Sequence, residues 1–113
     1  MSSTELDARR ARAAQNQSLL REVNERIEQL SSGSRTIDFA CECADDTCTQ
    51  RVTLTTREYE EIRADSNSFL VLPGHYDTAV ERVVREEASY VVVAKLGAGG
   101  EVAGRLDPRK RGS

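Results

Sequence analysis

Tryptophan is absent from this chain, and its aromatic content is three tyrosines and two phenylalanines, so a core has to be assembled mainly from Val, Leu, Ile and Ala. No stretch approaches the roughly 18 to 20 consecutive apolar residues that cross a bilayer. The opening residues, Met1-Ser2-Ser3-Thr4-Glu5-Leu6-Asp7, lack the charged-then-apolar order of a secretory leader, and a cytoplasmic location without membrane association is expected. An excess of positive charge is missing as well. Lys and Arg number 16 against 19 Asp and Glu, a net charge of -3, which argues against general affinity for nucleic acid. There is no internal repeat. Cysteine occurs three times, an odd number that leaves a disulfide framework incomplete; in a reducing compartment such closely spaced thiols point to metal binding or redox chemistry.

What is present concentrates between Cys41 and His75. This stretch holds Cys41, Cys43, Cys48 and, after 26 intervening residues, His75, which together are every cysteine and the only histidine of the protein. Three thiols and one imidazole complete a tetrahedral Cys3His ligand set for zinc. In an extended strand residues i and i+2 share a face, so Cys41 and Cys43 can reach one ion from the same side. Ala44-Asp45-Asp46-Thr47 is long enough, and rich enough in turn formers, to bring Cys48 back as a third ligand. His75 then closes the set from the Pro73-Gly74 turn. With about 80 residues left outside the N-terminal helix, the core is small, and a structural zinc worth about 10 to 16 kcal/mol could decide whether the domain folds.

The elements follow from local pattern. Ser2, Ser3 or Thr4 caps a helix running to about Leu30 and ended by Ser31-Ser32-Gly33-Ser34. Its Leu20, Val23, Ile27 and Leu30 recur at heptad spacing, continued backwards by Asn16, Ala13, Arg9 and Leu6, and this seam either covers the domain's own sheet or pairs with another copy or a partner protein. Arg35 to Cys41 and Gln50 to Thr55 alternate as two strands of a hairpin with the cysteines at its tip. Thr55 and Glu58 form a capping box for a short helix that buries Tyr59 and Ile62. Phe69-Leu70-Val71-Leu72 reads as a strand covered on both faces. Thr78 and Glu81 offer a second capping box, with Val80, Val83 and Val84 as the buried stripe of a helix ending near Glu87. Tyr90-Val91-Val92-Val93-Ala94 is a further strand. That order suggests a parallel crossover, with a hairpin-like placement of the final strand as the alternative. Gly97-Ala98-Gly99-Gly100 reads as a flexible break, with one weak turn at Val102, Ala103 and Leu106 before a solvated basic tail at Arg109-Lys110-Arg111.

Other chemistries compete for the same residues. If His75 is not a ligand, an open metal position returns, and Glu42, Asp45 or Asp46 becomes a substitute ligand or a base for hydrolysis. Cys48 and His75 could form a nucleophile and base, although no oxyanion-hole motif accompanies them. Metal-bound thiolates are also oxidisable, which gives a redox sensor.

The run Phe39-Ala40-Cys41-Glu42-Cys43, with Cys48, Leu54-Thr55, Glu58-Tyr59, Arg63-Ala64-Asp65, Phe69 and Pro73-Gly74-His75, resembles a family of small, largely uncharacterised bacterial proteins of actinobacterial type. The likeness extends to Arg21-Glu22-Val23-Asn24-Glu25-Arg26-Ile27, Val80-Glu81-Arg82-Val83-Val84, Tyr90-Val91-Val92 and Asp107-Pro108-Arg109. It implies the same domain and ligand set and carries no established activity. Taken together, the sequence predicts an α+β protein: an N-terminal amphipathic helix over residues 1–33, a zinc-binding domain with a small mixed sheet and two short helices over 34–97, and a flexible tail over 98–113. The expected role is a protein-interaction or regulatory module with a structural zinc site at Cys41, Cys43, Cys48 and His75 and no catalytic residues. A zinc-thiolate redox sensor is the alternative, and a metal-dependent hydrolase ranks last.

Overall fold

The computed structural model describes residues 3–31, 36–45 and 47–111, with Lys110 and Arg111 described by backbone only. Ser2, the helix-ending Ser32-Gly33-Ser34, Arg35, Asp46 and the end of the basic tail lie outside the described residues or side chains. In chain order the elements are α1 (Ser3–Leu30), β1 (Ile37–Ala40), β2 (Arg51–Leu54), α2 (Thr56–Arg63), β3 (Ser68–Val71), β4 (Glu81–Glu86), β5 (Val91–Lys95), α3 (Ala98–Arg105) and α4 (Pro108–Arg111). This is an α+β architecture with a long N-terminal helix. Among the described residues no helix is long and apolar enough to cross a membrane.

The hairpin forms as its alternation dictates. Ile37 lies opposite Leu54 and Phe39 opposite Val52, all four side chains buried, while Asp38 and Thr53 pair on the outer face through a 2.5 Å hydrogen bond. Thr55 caps α2 with the reciprocal Glu58 bond of a complete capping box, and the helix buries Tyr59 and Ile62. The Phe39 and Tyr59 rings stack with centroids 4.3 Å apart, joining hairpin to helix. Strand β3 is buried along its whole length, as an uninterrupted apolar run requires.

Four expectations are corrected. Thr78 to Glu87 does not form a helix: residues 81–86 are strand β4, antiparallel to β5 and joined to it by a turn in which the Glu87 N–H donates to the Tyr90 carbonyl. Asp77 takes the capping role predicted for Thr78, accepting the Ala79 N–H, while Glu81 returns a bond to the Asp77 N–H. Val83 pairs with Val93 of β5 while Val84 falls at the bulge before Arg85, and tertiary contact overrides the helical spacing. The second sheet has the order β3-β5-β4 with both pairs antiparallel, so there is no parallel crossover. Nor are residues 98–111 a flexible tail. Helix α3 packs on α1 because Gly99 lets the backbones meet: a Cβ there would stand 2.9 Å from the Arg10 carbonyl oxygen. The glycines expected to loosen the chain instead permit close packing.

The fourth correction concerns the face that α1 turns inward, where the first of the two placements expected for the seam, over the domain's own sheet, does not hold. Val23 and Leu30 of the predicted seam are exposed and Leu20 and Ile27 half-buried, whereas Gln17, Arg21 and Asn24 are fully buried at i, i+4 and i+7 beside Ala13 and Ala14. The helix docks by hydrogen bonding. Arg21 donates to the carbonyls of Ser66 and Ala103 at 2.6 and 2.7 Å and lies over the Phe69 ring. Each of these bonds satisfies a carbonyl at the end of an element, where ladder partners run out.

The C-terminal residues are fastened by charge. Buried Arg63 donates to Glu25 and to Asp107 at 2.7 and 2.5 Å, and Arg109 donates to Glu25, to both oxygens of Glu60 and, at 3.4 Å, to Glu28. Burial first, and then the neighbouring Glu60 carboxyl, push Glu28 from 4.5 up to about 7. A carboxyl raised in the folded state contributes stability that is present below its unfolded pKa and is lost as pH rises through the folded one. Between about pH 5 and about pH 8, therefore, the wild type is expected to lose stability relative to a Glu28→Gln variant, measured by urea unfolding at each pH. A difference independent of pH would contradict this assignment.

Candidate metal centre

The centre is built where the chain passes from one sheet to the other. Cys41 N–H still donates to the Gln50 carbonyl, continuing the β1–β2 ladder, but the next residue, Glu42, donates its N–H to the Leu70 carbonyl of β3 at 2.7 Å. The segment is extended, so Cys41 and Cys43 project to one side and Glu42 to the other. On the Glu42 side lies the core. On the cysteine side, the chain turns at Asp45, whose Oδ1 accepts the Thr47 N–H and hydroxyl at 2.9 and 2.6 Å and whose carbonyl accepts the Cys48 N–H at 3.1 Å. These bonds hold Asp45 below the usual carboxylate range, the Thr47 hydroxyl contributing most. They also deliver Cys48 back beside Cys43.

His75 arrives from the end of β3. Leu72-Pro73-Gly74-His75 is a β-turn closed by a 3.0 Å bond from the His75 N–H to the Leu72 carbonyl, with Gly74 at φ +82°. Pro at the second position and a positive-φ Gly at the third are what a type II turn requires. The Leu72 N–H donates to Cys41 Sγ at 3.3 Å, so the residue that opens the turn also orients the first thiol.

All four predicted ligands come together. One donor atom from each of Cys41, Cys43, Cys48 and His75 lies within 4.8 Å of the other three, and a metal ion can be held among them. His75 Nδ1 stands 3.8 Å from Cys41 Sγ and 3.7 Å from Cys48 Sγ. Shared between two thiols, the imidazole has the placement of a ligand rather than of a base dedicated to Cys48. Burial pushes the Cys41 thiol well above its ordinary value against the opposing Leu72 hydrogen bond, and it raises Cys43 likewise. A metal cation reverses this balance, because coordination deprotonates a thiol outright.

Of the substitute ligands considered, Glu42 faces away from the thiols, Asp45 is occupied in shaping the turn, and Asp46 lies outside the described residues. Glu42 has another part. Its fully buried carboxylate accepts from Asn24 Nδ2 and the Tyr59 hydroxyl, each at 2.8 Å, and from the Leu70 N–H at 2.8 Å. Burial raises its pKa, and the three donors oppose that rise, Asn24 most. Asn24 also brackets Ala40, accepting its N–H and donating to its carbonyl, and Gln17 donates to the Glu42 carbonyl. The two cysteines are thus gripped from behind. The signal was available: a lone Glu between two cysteines of an extended strand has to face opposite to them.

Glu42→Gln tests this support. The amide places an NH2 donor against groups that are themselves donors, so unfolding free energy is expected to fall by about 2 kcal/mol. Chemical denaturation of variant and wild type under matched metal conditions provides the measurement, and equal stabilities would remove Glu42 from its supporting role.

Comparisons of the chain with protein-family models, with curated proteins and with solved structures each found no match. The centre rests on its geometry.

Proposed function

We propose that this protein is a zinc-binding regulatory or protein-interaction module in which Cys41, Cys43, Cys48 and His75 form a closed Cys3His site. One observation carries the reading: one donor atom from each of the four residues lies within 4.8 Å of the others, close enough for a single ion to draw them into a tetrahedral set. Zinc with about 2.3 Å bonds to sulfur and about 2.0 Å to nitrogen places neighbouring ligands about 3.5 to 3.8 Å apart. The two thiol-to-imidazole distances are 3.8 and 3.7 Å. A thiolate-rich, four-coordinate donor set selects zinc over the oxygen-seeking cations, and four protein ligands leave no position for a substrate. The reading therefore assigns the metal to holding the hairpin tip against the turn after β3. Contact with other proteins is assigned to the outward side of α1, where Leu19, Val23 and Leu30 are 65%, 48% and 75% exposed.

Protein purified in reduced form without added metal is expected to carry about one equivalent of zinc, and less than about half an equivalent would count against the proposal. Replacing His75 by Ala should weaken retention against a chelator and lower the melting temperature by about 5 °C or more. Unchanged retention would take His75 out of the ligand set.

A further inference from the structure

The three thiols are not equivalent. Cys41 and Cys43 are 1% and 2% exposed, whereas Cys48 is only partly covered. Between α1 and the cysteine turn runs a groove of about 180 Å³ lined by Asn16, Leu19, Leu20, Cys43, Asp45 and Cys48. It brings two of the three cysteines to one solvent-connected wall, and Cys41 is not part of it. Cys41 is fixed from several sides, by the Gln50 carbonyl, by the Leu72 N–H and by its neighbour Glu42. Cys48 sits at the end of a turn held by two exposed bonds from Thr47 to Asp45 and a long 3.8 Å contact from the Cys43 thiol to the Asp45 carbonyl, while the Cys48 sulfur itself stands 3.7 Å from His75 Nδ1. Closing a disulfide requires two sulfurs to approach from within 4.8 Å to about 2.05 Å. A turn held this way can supply that movement, and the strand carrying Cys41 cannot.

We infer that Cys48 is the oxidant-reactive thiol of the centre and Cys43 its resolving partner, so that a hydroperoxide closes a Cys43–Cys48 disulfide and expels the metal from an otherwise intact fold. The Cys48 thiolate attacks one peroxide oxygen, the O–O bond breaks, and the leaving alkoxide or hydroxide takes a proton from solvent, giving a sulfenic acid at Cys48. The Cys43 thiolate then attacks that sulfur, the S–O bond breaks, and hydroxide leaves and is protonated to water. Overall, two thiolates, one hydroperoxide and two protons give one disulfide, one alcohol or water, and one further water. Two of four ligands are then gone. The bonds that Glu42 makes to Asn24, Tyr59 and Leu70 involve no metal ligand, so the hairpin stays docked while its tip and the adjoining groove change shape. The metal-release arm rests on the zinc reading; the disulfide assignment does not.

The test uses the full chain, reduced and metal-loaded as isolated, treated with stoichiometric hydrogen peroxide. Zinc release is followed with a chromogenic chelator and helix content by far-ultraviolet circular dichroism. The linkage is mapped by mass spectrometry after cleavage before aspartate and after glutamate, which places Cys41, Cys43 and Cys48 on three separate peptides. Expected are one zinc released per disulfide, retained helix content, and reversal by dithiothreitol with added zinc. In metal-free reduced protein the Cys41→Ser variant should still form the linkage, the Cys43→Ser variant should not, and Cys48→Ser should react at least about tenfold more slowly with peroxide. A dominant linkage through Cys41, overoxidation of Cys48 without a disulfide, or loss of helix content on oxidation would each overturn the inference. Protein isolated without zinc would overturn the zinc reading instead, and the linkage mapped in that protein would still decide the disulfide assignment.

Discussion

A single buried carboxylate, that of Glu42, ties together parts of the chain that would otherwise have little reason to meet. Through three donors it joins α1, α2 and β3, and its own N–H links the hairpin to the second sheet. An ionised group away from water is costly, and removing a partner from such a cluster is more costly still, so the cluster forms as a whole or not at all. Its position between Cys41 and Cys43 converts that requirement into metal-site geometry. Whatever places the Glu42 side chain in the core places both thiols on the opposite side of the strand.

The same strategy recurs along α1. Gln17 contacts Glu42 and Glu81, Lys95 reaches both Gln17 and Glu81, and Arg21 closes on two carbonyls, all within the buried interior. Burial pushes the Lys95 pKa down and the Glu81 carboxylate resists that shift, which is the signature of an ion pair held away from water. A chain this poor in aromatic residues has few large apolar groups with which to fix a long helix. Directional bonds fix its rotation and its register along the axis more tightly than a smooth aliphatic contact does, since a slip of one turn strands every donor. The few rings are used at the same junctions: Arg21 and Lys95 both lie over Phe69, and Tyr59 both stacks on Phe39 and donates to Glu42.

Legibility in the sequence followed from whether structure was decided locally. The β1–β2 hairpin, the Thr55 capping box, the buried β3 run and the Pro73-Gly74 turn each rest on contacts within a few residues, and each was readable. The grouping of Cys41, Cys43, Cys48 and His75 was readable for a different reason, because ligand chemistry left no other candidates. What failed was decided at a distance. Val83 and Val84 fit helical spacing, yet β5 presents a free edge that only a strand can pair. The apolar seam of α1 pointed to its inward face, but carbonyls at Ala40, Glu42, Ser66 and Ala103 needed donors, and Gln17, Arg21 and Asn24 supply them. Gly97 to Gly100 had the composition of a linker, while Gly99 serves a close backbone contact visible only once α1 is in place.

This division alters what a metal is needed for. Sequence length suggested a small core whose folding a metal could decide, yet the polar interior already anchors the hairpin through the Glu42, Asn24 and Gln17 side chains, none of them a ligand. The four donors sit at one edge of that interior, Cys41 and Cys43 within the core and Cys48 and His75 at its margin, and the groove beside Leu19 and Leu20 reaches Cys43 and Cys48. An ion placed there closes one end of the molecule without holding the rest of it together. Binding free energy spent on a local element changes the population of that element alone, because coupling requires contacts that differ between the two states. On the proposals made above, the occupancy of the centre would vary while the fold persists, and Leu19 and Leu20 of α1, which line the groove beside Cys43 and Cys48, are where such a change would be felt first.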